Sequence, residues 1–355
     1  MAAAYSACRP FRTTLTRARV NNLQIMNCRY SNFQLTRAMP QPLAHSEGQP
    51  DVDPDAFHQQ LAHFNVARIA PATPSTRWHA NLQTELEHRV AEGHYLEALR
   101  AQVAPLLPDL HGGTEGFVDD FVQWFELLAI NGPGQQHALF DWLASTATLT
   151  QIRWFLTQEA AGEAGFDDLL AYTQVKLPKQ AKLECARNYW DEMGHGKQSA
   201  MHGHMLDHMV QALGLQPTIN TTVWQALALS NTMLGLATTR RYAYQSIGAL
   251  GVIELTAPGR VKQVSVGMKR LGLDGRMRAY FDLHAALDVS HAKAWLREII
   301  RPLVGADPAC APYIAEGALM RLVCGQRCFD RYSTELMANA TKPEQKPQPQ
   351  PEPVC

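Results

Sequence analysis

Three residues of types that bind metals share one side of a predicted helix in the C-terminal third of the chain. In YFDLHAALDVSHAKAW (280–295), His284, Asp288 and His291 stand at positions i, i+4 and i+7. At about 100° per residue, their side chains point within about 60° of one another. Two imidazoles and a carboxylate on one stripe suit a first-row metal such as iron. The apolar residues around the stripe indicate a buried helix, which argues against a merely solvated face.

A dinuclear site would need carboxylates from neighbouring helices as well. Glu254 lies in IGALGVIELTAP (247–258), a segment otherwise free of charge. An unpaired buried carboxylate is costly, and metal ligation removes that cost. Gly251 precedes it by about one turn and is expected to leave space beside the carboxylate for O2 or a substrate.

A further carboxylate is expected from IRWFLTQEAAGEAGF (152–166). Glu159 and Glu163 are four residues apart on nearly the same helix face, so the pattern alone does not separate them. We favour Glu159 because it follows an apolar run, whereas Glu163 approaches the end of the predicted helix.

The segment NYWDEMGHGKQSAMHGHMLDHM (188–209) holds more candidate ligands than one site can use. They are Asp191, Glu192, His195, His202, His204 and His208. We select His202, because His204 and His208 lie off its stripe and fit a surface cluster. Glu192 is ten residues from His202, about 15 Å along a straight helix. Both reach one site only if the chain bends, and Gly194-His195-Gly196 is the expected bend.

The elements that carry these residues are predicted to be helices throughout. Apolar residues recur at spacings of three and four, and alternating β-branched runs are missing, so the fold is predicted to be all-α. Breaks are expected at 132–134, at Pro258-Gly259 and at 305–312. The predicted helices are 76–104, 115–130, 134–146, 148–163, 180–213, 221–239, 241–256, 259–272, 276–304 and 311–337.

Composition narrows the class of protein. The 355 residues are 46% hydrophobic and 18% charged, with a net charge of −1. This balance provides no field for nucleic acid or an anionic membrane, and no run of about 18 apolar residues would span a bilayer. Seven scattered cysteines without a Cys-x-x-Cys pair favour a reducing, cytoplasmic location.

The two ends differ from the remainder of the chain. Residues 1–46 hold six arginines and no acidic residue, which is typical of a mitochondrial transit peptide or indicates a start at Met39. Residues 341–355 are rich in proline, glutamine and lysine and are expected to be disordered. We therefore expect a disordered or targeting segment at 1–50, N-terminal helices packed on the core at 51–113, the metal-binding domain at 114–340 and a tail at 341–355.

Together these motifs resemble the haem-oxygenase-like diiron oxidases and oxygenases, also called iron-containing redox enzymes. The resemblance covers about 115–335 and depends on FLTQEAAGE, WDEMGHGKQSAMH, GALGVIELTAPGRVKQVSVGMKRLGL and YFDLHAALDVSHAKAW. It implies a seven-helix haem-oxygenase-like bundle, here with extra N-terminal helices, that forms a homodimer. The ligand set it implies is Glu159, Glu192, His202, Glu254, His284, Asp288 and His291, with Asp191 as the alternative to Glu192.

The same resemblance implies a reaction. Two iron ions would use O2 as co-substrate and electrons from a reductase, a ferredoxin or a small reductant to oxidise a small organic molecule. The extra carboxylate Glu192 favours N-oxygenation of an amine or amino acid. Desaturation or C–C cleavage of an amino or fatty acid is the alternative. Arg240 and Arg241 are of the type that binds a substrate carboxylate, although a solvated pair at a helix start fits them better.

Other all-α classes fit less well. A ferritin-like bundle needs a glutamate followed by two Glu-x-x-His pairs. Glu85-x-x-His88 and Glu192-x-x-His195 are present, but no helical glutamate precedes the first and Glu254 follows the second. A haem oxygenase needs one proximal histidine without extra buried acids. A cofactorless relative of the fold or a helical scaffold leaves the ligand set unexplained.

Overall fold

The computed structural model describes residues 53–109, 116–163 and 165–338. The chain divides into two units, Met1–Pro50 and Asp51–Cys355, and every described residue belongs to the second. The expected Arg-rich segment and the Pro-rich tail both lie outside the described residues.

The described residues form helices joined by short turns, without a β-strand among them. The first helices are α1 (Pro54–Ile69), α2 (Trp78–Val103), α3 (Phe117–Asn131), α4 (Ala138–Ser145), α5 (Leu149–Gly162) and α6 (Phe166–Thr173). The others are α7 (Lys179–Glu192), α8 (His202–Ala212), α9 (Trp224–Thr238), α10 (Ala243–Arg270), α11 (Ala279–Trp295), α12 (Arg301–Ala306) and α13 (Ala311–Ala338). A π-helical turn, Leu296–Ile300, joins α11 to α12. None of these helices is both long and apolar enough to cross a membrane.

Local sequence explains where several helices begin. Asp53 caps α1 by accepting a hydrogen bond from the Asp55 amide, and Pro54 takes the first helical position. Thr148 and Gln151 form a reciprocal capping box at the start of α5. These caps satisfy backbone donors that the first helical turn leaves without partners.

Helix α10 runs through the centre of the fold and packs against α3, α4, α9, α11 and α13. The predicted break at Pro258-Gly259 is wrong, because Pro258 lies inside this continuous helix. A proline removes one backbone hydrogen bond to the carbonyl four residues earlier, here that of Glu254. Packing on several sides of α10 outweighs this local cost, so the helix continues.

The helices of the structure also depart from the predicted list elsewhere, as α1 and α6 show. Residues 166–173, expected to be outside any helix, form α6, which packs against α7 and α9. The predicted helix 180–213 is divided into α7 and α8, as the expected bend at Gly194-His195-Gly196 requires. The bend is therefore confirmed.

The N-terminal helices are attached to the rest of the fold by buried polar contacts. Asn65 on α1 donates to the Asn231 side chain on α9 at 2.8 Å. Arg68 and Glu92 form an ion pair at 2.7 Å whose side chains are 6% and 3% exposed. Breaking one partner of such a buried pair leaves an uncompensated charge, so these contacts help to hold α1, α2 and α9 together.

Helices α10 and α13 cross at very short distance through two glycines. A Cβ atom on Gly248 would lie 1.8 Å from the carbonyl oxygen of Ile314, and one on Gly317 would lie 1.8 Å from that of Gln245. Both oxygens belong to the backbone, so neither can move aside without displacing its helix. Glycine is therefore required at this crossing.

Gly248→Ala should lower the free energy of unfolding by about 3 kcal/mol, because overpacked cores shift backbone at this cost. Gly259→Ala is the matched control, since it is on the same helix and its Cβ would meet nothing within 4 Å. The control should be neutral or stabilising by up to about 1 kcal/mol. Urea unfolding followed by circular dichroism measures both. Equal stability of Gly248→Ala and the natural protein would contradict the close crossing.

Candidate metal centre

Four helix segments bring six of the seven expected ligands together in the interior. Glu192 is the last residue of α7, and His202 is the first residue of α8. Glu254 comes from the middle of α10, and α11 supplies the stripe of three residues. The six donors form two groups of three, and within each group the ligand atoms lie within 4.8 Å of one another. The groups are Glu192, His202 and His284, and Glu254, Asp288 and His291.

In the first group, one histidine nitrogen faces both other members. Nδ1 of His202 lies 2.8 Å from Oε2 of Glu192 and 3.1 Å from Nε2 of His284. Nδ1–H of His284 donates to the backbone carbonyl of Tyr280 at 2.7 Å, which leaves Nε2 with a free lone pair. Outer hydrogen bonds of this kind fix the tautomer of a metal-binding histidine. Glu192 and His202 are 6% and 3% exposed, so the group is shielded from solvent.

The second group is buried, and neighbouring polar side chains form hydrogen bonds with its members. Glu254, Asp288 and His291 are all buried. Oε1 of Glu254 accepts a hydrogen bond from the side-chain amide of Asn188 at 2.6 Å. Nδ1 of His291 lies 3.4 Å from Oε2 of Glu254. Asn188 is one turn before Glu192 on α7, so the same helix supports both groups.

Three consecutive left-handed residues make the bend that joins α7 to α8. Gly194, His195 and Gly196 have φ values of 57°, 54° and 79°. A Cβ on Gly194 would lie 2.3 Å from the backbone carbon of Ala200, so the two arms of the bend touch there. This turn replaces the roughly 15 Å of a straight helix and brings Glu192 and His202 into contact.

The carboxyl groups of the centre repel one another inside an apolar bundle. Desolvation, together with the charges of Glu254 and Glu163, raises the pKa of Glu192 to about 9. Desolvation and the charge of Glu254 also raise the pKa of Asp288 to about 9. Without a cation, these groups are therefore held in their protonated form at neutral pH. A bound divalent ion would reverse that preference, because it is the largest local charge in such a site.

The pKa values of the three histidines shift in different directions, depending on their neighbours. Burial lowers the pKa of both His202 and His284 to about 4, so both are neutral at pH 7, the form that binds metals. Burial also lowers the pKa of His291, but the neighbouring carboxylate of Glu254 and the hydrogen bond to Asp191 outweigh it and raise the value to about 9.

One orphaned atom supports a metal at the second group. Nδ1 of His291 is buried without a hydrogen-bond partner among the described residues. Its other nitrogen, Nε2, donates to Oδ2 of Asp191 at 3.0 Å. A buried nitrogen that faces two carboxylates and whose ring is held from behind fits a cation. The donor set therefore fits iron.

Glu159 does not join these six residues. It lines a neighbouring cavity with Arg260, Arg321 and Phe140, and its charge interacts with both arginines. Glu163, the residue not selected from the sequence, lines both that cavity and the one that borders Glu192, Glu254, His284 and Asp288. The phenol of Tyr280 lies 3.4 Å from Oε2 of Glu163.

The space expected beside Gly251 is absent. A Cβ there would lie 2.4 Å from Nε1 of Trp295, whose indole N–H donates to the carbonyl of Ile247 at 3.2 Å. The missing side chain of Gly251 therefore makes room for the indole of Trp295, which packs against this face of α10. The cavity beside Glu254 opens on another side, toward Leu229, Met233 and Ile253.

Asn188 was not singled out in the sequence, and Asp191 was considered there only as a ligand and not as a supporting residue. Asn188 contacts Glu254, and Asp191 holds His291 while also accepting from Nε2 of His195. Both stand one turn or less from Glu192 on α7, and this spacing was the signal available. His204 and His208 are exposed on α8, as expected for a surface cluster.

The family model described as iron-containing redox enzyme matches residues 153–326. Residues 153–326 belong to that family. The matched segment contains both ligand groups, and the resemblance stated from the motifs is confirmed. Membership of the iron-containing redox enzyme family supports a general oxidoreductase role. No protein of curated function gives a significant match to the sequence.

Two solved structures are similar to this chain. A CADD-like protein of unknown function from Nostoc punctiforme PCC 73102 matches with a TM-score of 0.50 and 18% identity, over 62% of this chain and 98% of that chain. A domain of unknown function with a haem oxygenase-like fold, from Shewanella denitrificans OS217, gives a TM-score of 0.45 and 13% identity, over 64% and 95% of the two chains. The helices of the described residues and the family match together confirm the expected all-α, haem-oxygenase-like bundle.

Asp191→Asn should weaken Fe(II) binding by about 10- to 100-fold, the usual effect of losing a carboxylate behind a metal-binding histidine. Asp207→Asn, an exposed aspartate on α8, is the matched control and should bind like the natural protein. Anaerobic competition with a chromogenic chelator measures both affinities. If the Asp191 variant binds as tightly as the control, Asp191 does not position His291.

Proposed function

We propose that this protein is a non-haem diiron oxygenase that activates O2 to oxidise a small organic molecule. The observation that supports the proposal is the pair of ligand groups. One group has two histidines and a carboxylate, and the other has one histidine and two carboxylates. Histidine and carboxylate donors together suit iron. When bound, a pair of ferrous ions supplies two metal positions at which O2 is reduced.

We propose that the metal ligand at the C-terminal end of α5 is Glu163 and not Glu159. It lines the cavity that borders both groups, and its charge raises the pKa of Glu192. Glu159 is instead placed near two arginines and Tyr332. The proposed set is therefore Glu163, Glu192, His202, Glu254, His284, Asp288 and His291.

The protein itself would contribute positioning and shielding. Tyr280 holds the tautomer of His284 through its carbonyl, while its phenol approaches Glu163. Asn188 fixes one oxygen of Glu254, so the other remains directed toward His291. Apolar side chains of the cavity exclude water, which protects reactive oxygen species from side reactions.

N-oxygenation is the proposed reaction class. The extra carboxylate, Glu192, lies within the first group rather than on the surface. Oxygenation of a primary amine would combine the amine with O2, two electrons and two protons to give a hydroxylamine and water. An external donor such as a ferredoxin or a reductase would supply the two electrons. Desaturation or C–C cleavage is the competing outcome.

Metal content tests the proposed centre. Protein loaded anaerobically should bind two Fe(II) per chain. His284→Ala combined with Asp288→Ala should lose most of this iron, because the double variant removes one donor from each group. His204→Ala with Asp207→Ala, both exposed on α8, should keep the full amount. Atomic absorption on folded, desalted samples gives the count. Undiminished iron in the first double variant would refute the ligand assignment.

Single variants separate the two α5 glutamates. Glu163→Ala should lower the affinity for Fe(II) at least tenfold, whereas Glu159→Ala should leave it within about twofold, because only Glu163 faces the cavity that borders both groups. The same chelator competition measures both variants. The reverse order would restore Glu159 as the ligand.

The reaction class is tested through Glu192. Glu192→Ala should keep more than half of the iron, since the other donors remain, but product should fall about tenfold or more. Rapid mixing of the ferrous protein with O2, followed by mass spectrometry over a panel of amines and fatty acids, gives the transient absorption and the product. Normal turnover by Glu192→Ala, with failure of Asp191→Ala, would remove the argument for N-oxygenation.

A further inference from the structure

Two neighbouring cavities lie beside the metal centre. Their volumes are about 100 and 110 Å³, and they share a wall that includes Glu163, Tyr280 and Arg321. The first cavity borders both ligand groups, and the second extends away from them toward Arg260 and Phe140. At 10–15 Å³ per water-sized sphere, their combined volume corresponds to roughly fifteen non-hydrogen atoms.

Two arginines face this space with few partners. Arg321 on α13 lines both cavities, and its Nε is buried without a hydrogen-bond partner among the described residues. Arg260 on α10 lines the second cavity, reaches Gln135 Oε1 only at 3.5 Å and lies 5.4 Å from the ring centre of Phe329. Within the described ranges, neither guanidinium has a carboxylate within ion-pair distance. An unpaired cation inside a protein is costly, which calls for an anion.

The charge balance of the second cavity favours an added anion. Glu159 and Glu163 are the carboxylates on its wall. This inference rests on the proposed function, in which Glu163 is a metal ligand. Of the two carboxylates on this wall, only Glu159 then remains to balance the charges of the two arginines. Burial and the charge of Arg321 lower the pKa of Arg260 to about 9, so Arg260 still carries its proton at neutral pH.

We propose that Arg321 and Arg260 bind the carboxylate of the substrate, which is therefore a small carboxylic acid whose body points toward the metal centre. The apolar wall formed by Leu229, Met233 and Ile253 fits an aliphatic body. Arginine suits this role because its planar fork binds carboxylates through two parallel hydrogen bonds. An amino acid or a medium-chain aliphatic acid satisfies these conditions.

The arginines singled out from the sequence are excluded from this role. Arg240 donates to the backbone carbonyls of Tyr172 and Thr173, and Arg241 pairs with Glu97 at 2.8 Å. Both are exposed and line other cavities. Arg240 therefore provides a matched control.

The test compares two acids, octanoate and norleucine, with their amides, octanamide and norleucinamide. Binding to anaerobic, Fe(II)-loaded protein is measured by isothermal titration calorimetry. At least one acid should bind about tenfold or more tightly than its amide. Arg321→Gln and Arg260→Gln should each weaken that acid about tenfold and leave its amide unchanged, the effect of losing a charge-assisted hydrogen bond. Arg321→Lys should retain part of the preference, and Arg240→Gln should retain all of it.

The outcomes separate this inference from the proposed function. Iron content is measured on the same samples, and the acids are also titrated into metal-free protein and into His284→Ala/Asp288→Ala. Binding that persists there supports the arginine site even if the protein proves not to hold two iron ions. Acid binding that requires the metal and survives in both glutamine variants overturns it, as does equal binding of acid and amide to the natural protein. Since the ligand comparison needs no variant, a poorly folded glutamine variant does not block the test.

Discussion

The structure depends on the burial of several carboxylates close to one another in an apolar helical bundle. Glu192, Glu254 and Asp288 are each less than 10% exposed, and their charges act on one another. Inside a protein, such repulsion is relieved by protonation or by a bound cation. Two neutral histidines and one unpartnered histidine nitrogen face the same space, and these groups suit a cation better than a proton. The bend after α7, the continuity of α10 and the close crossing with α13 all bring this set together.

The two ligand groups are not equivalent. Both groups border the first cavity, each through two residues, but their outer support differs. The first group is supported by a backbone carbonyl, that of Tyr280. The second is supported by side chains, Asn188 and Asp191, that reach it from α7. The ligands of the second group are therefore positioned by more side-chain contacts than those of the first.

Local spacing revealed the parts of the site that a single helix determines. The stripe on α11 follows from helix geometry alone, and the bend follows from a Gly-His-Gly sequence whose two glycines disfavour a straight helix. The choice between Glu159 and Glu163 depends on how α5 is rotated against its neighbours, which is a property of packing and not of the segment. For the same reason, Gly251 was misinterpreted, because the tryptophan that fills its space comes from α11. The break predicted at Pro258 was wrong because packing around α10 outweighs the local tendency of proline to end a helix.

The bend between α7 and α8 also ties the state of the centre to protease sensitivity. Glu192 and His202 stand at its two ends, and a metal bound by both would act as a crosslink that closes the connection. Lys197 and the residues on either side of it are exposed, so the connection presents a trypsin site to solvent. Without the crosslink, local opening of this segment costs less, and proteases cleave chains through such openings. Cleavage after Lys197 would then report how much of the protein carries metal, without a chromophore or a substrate.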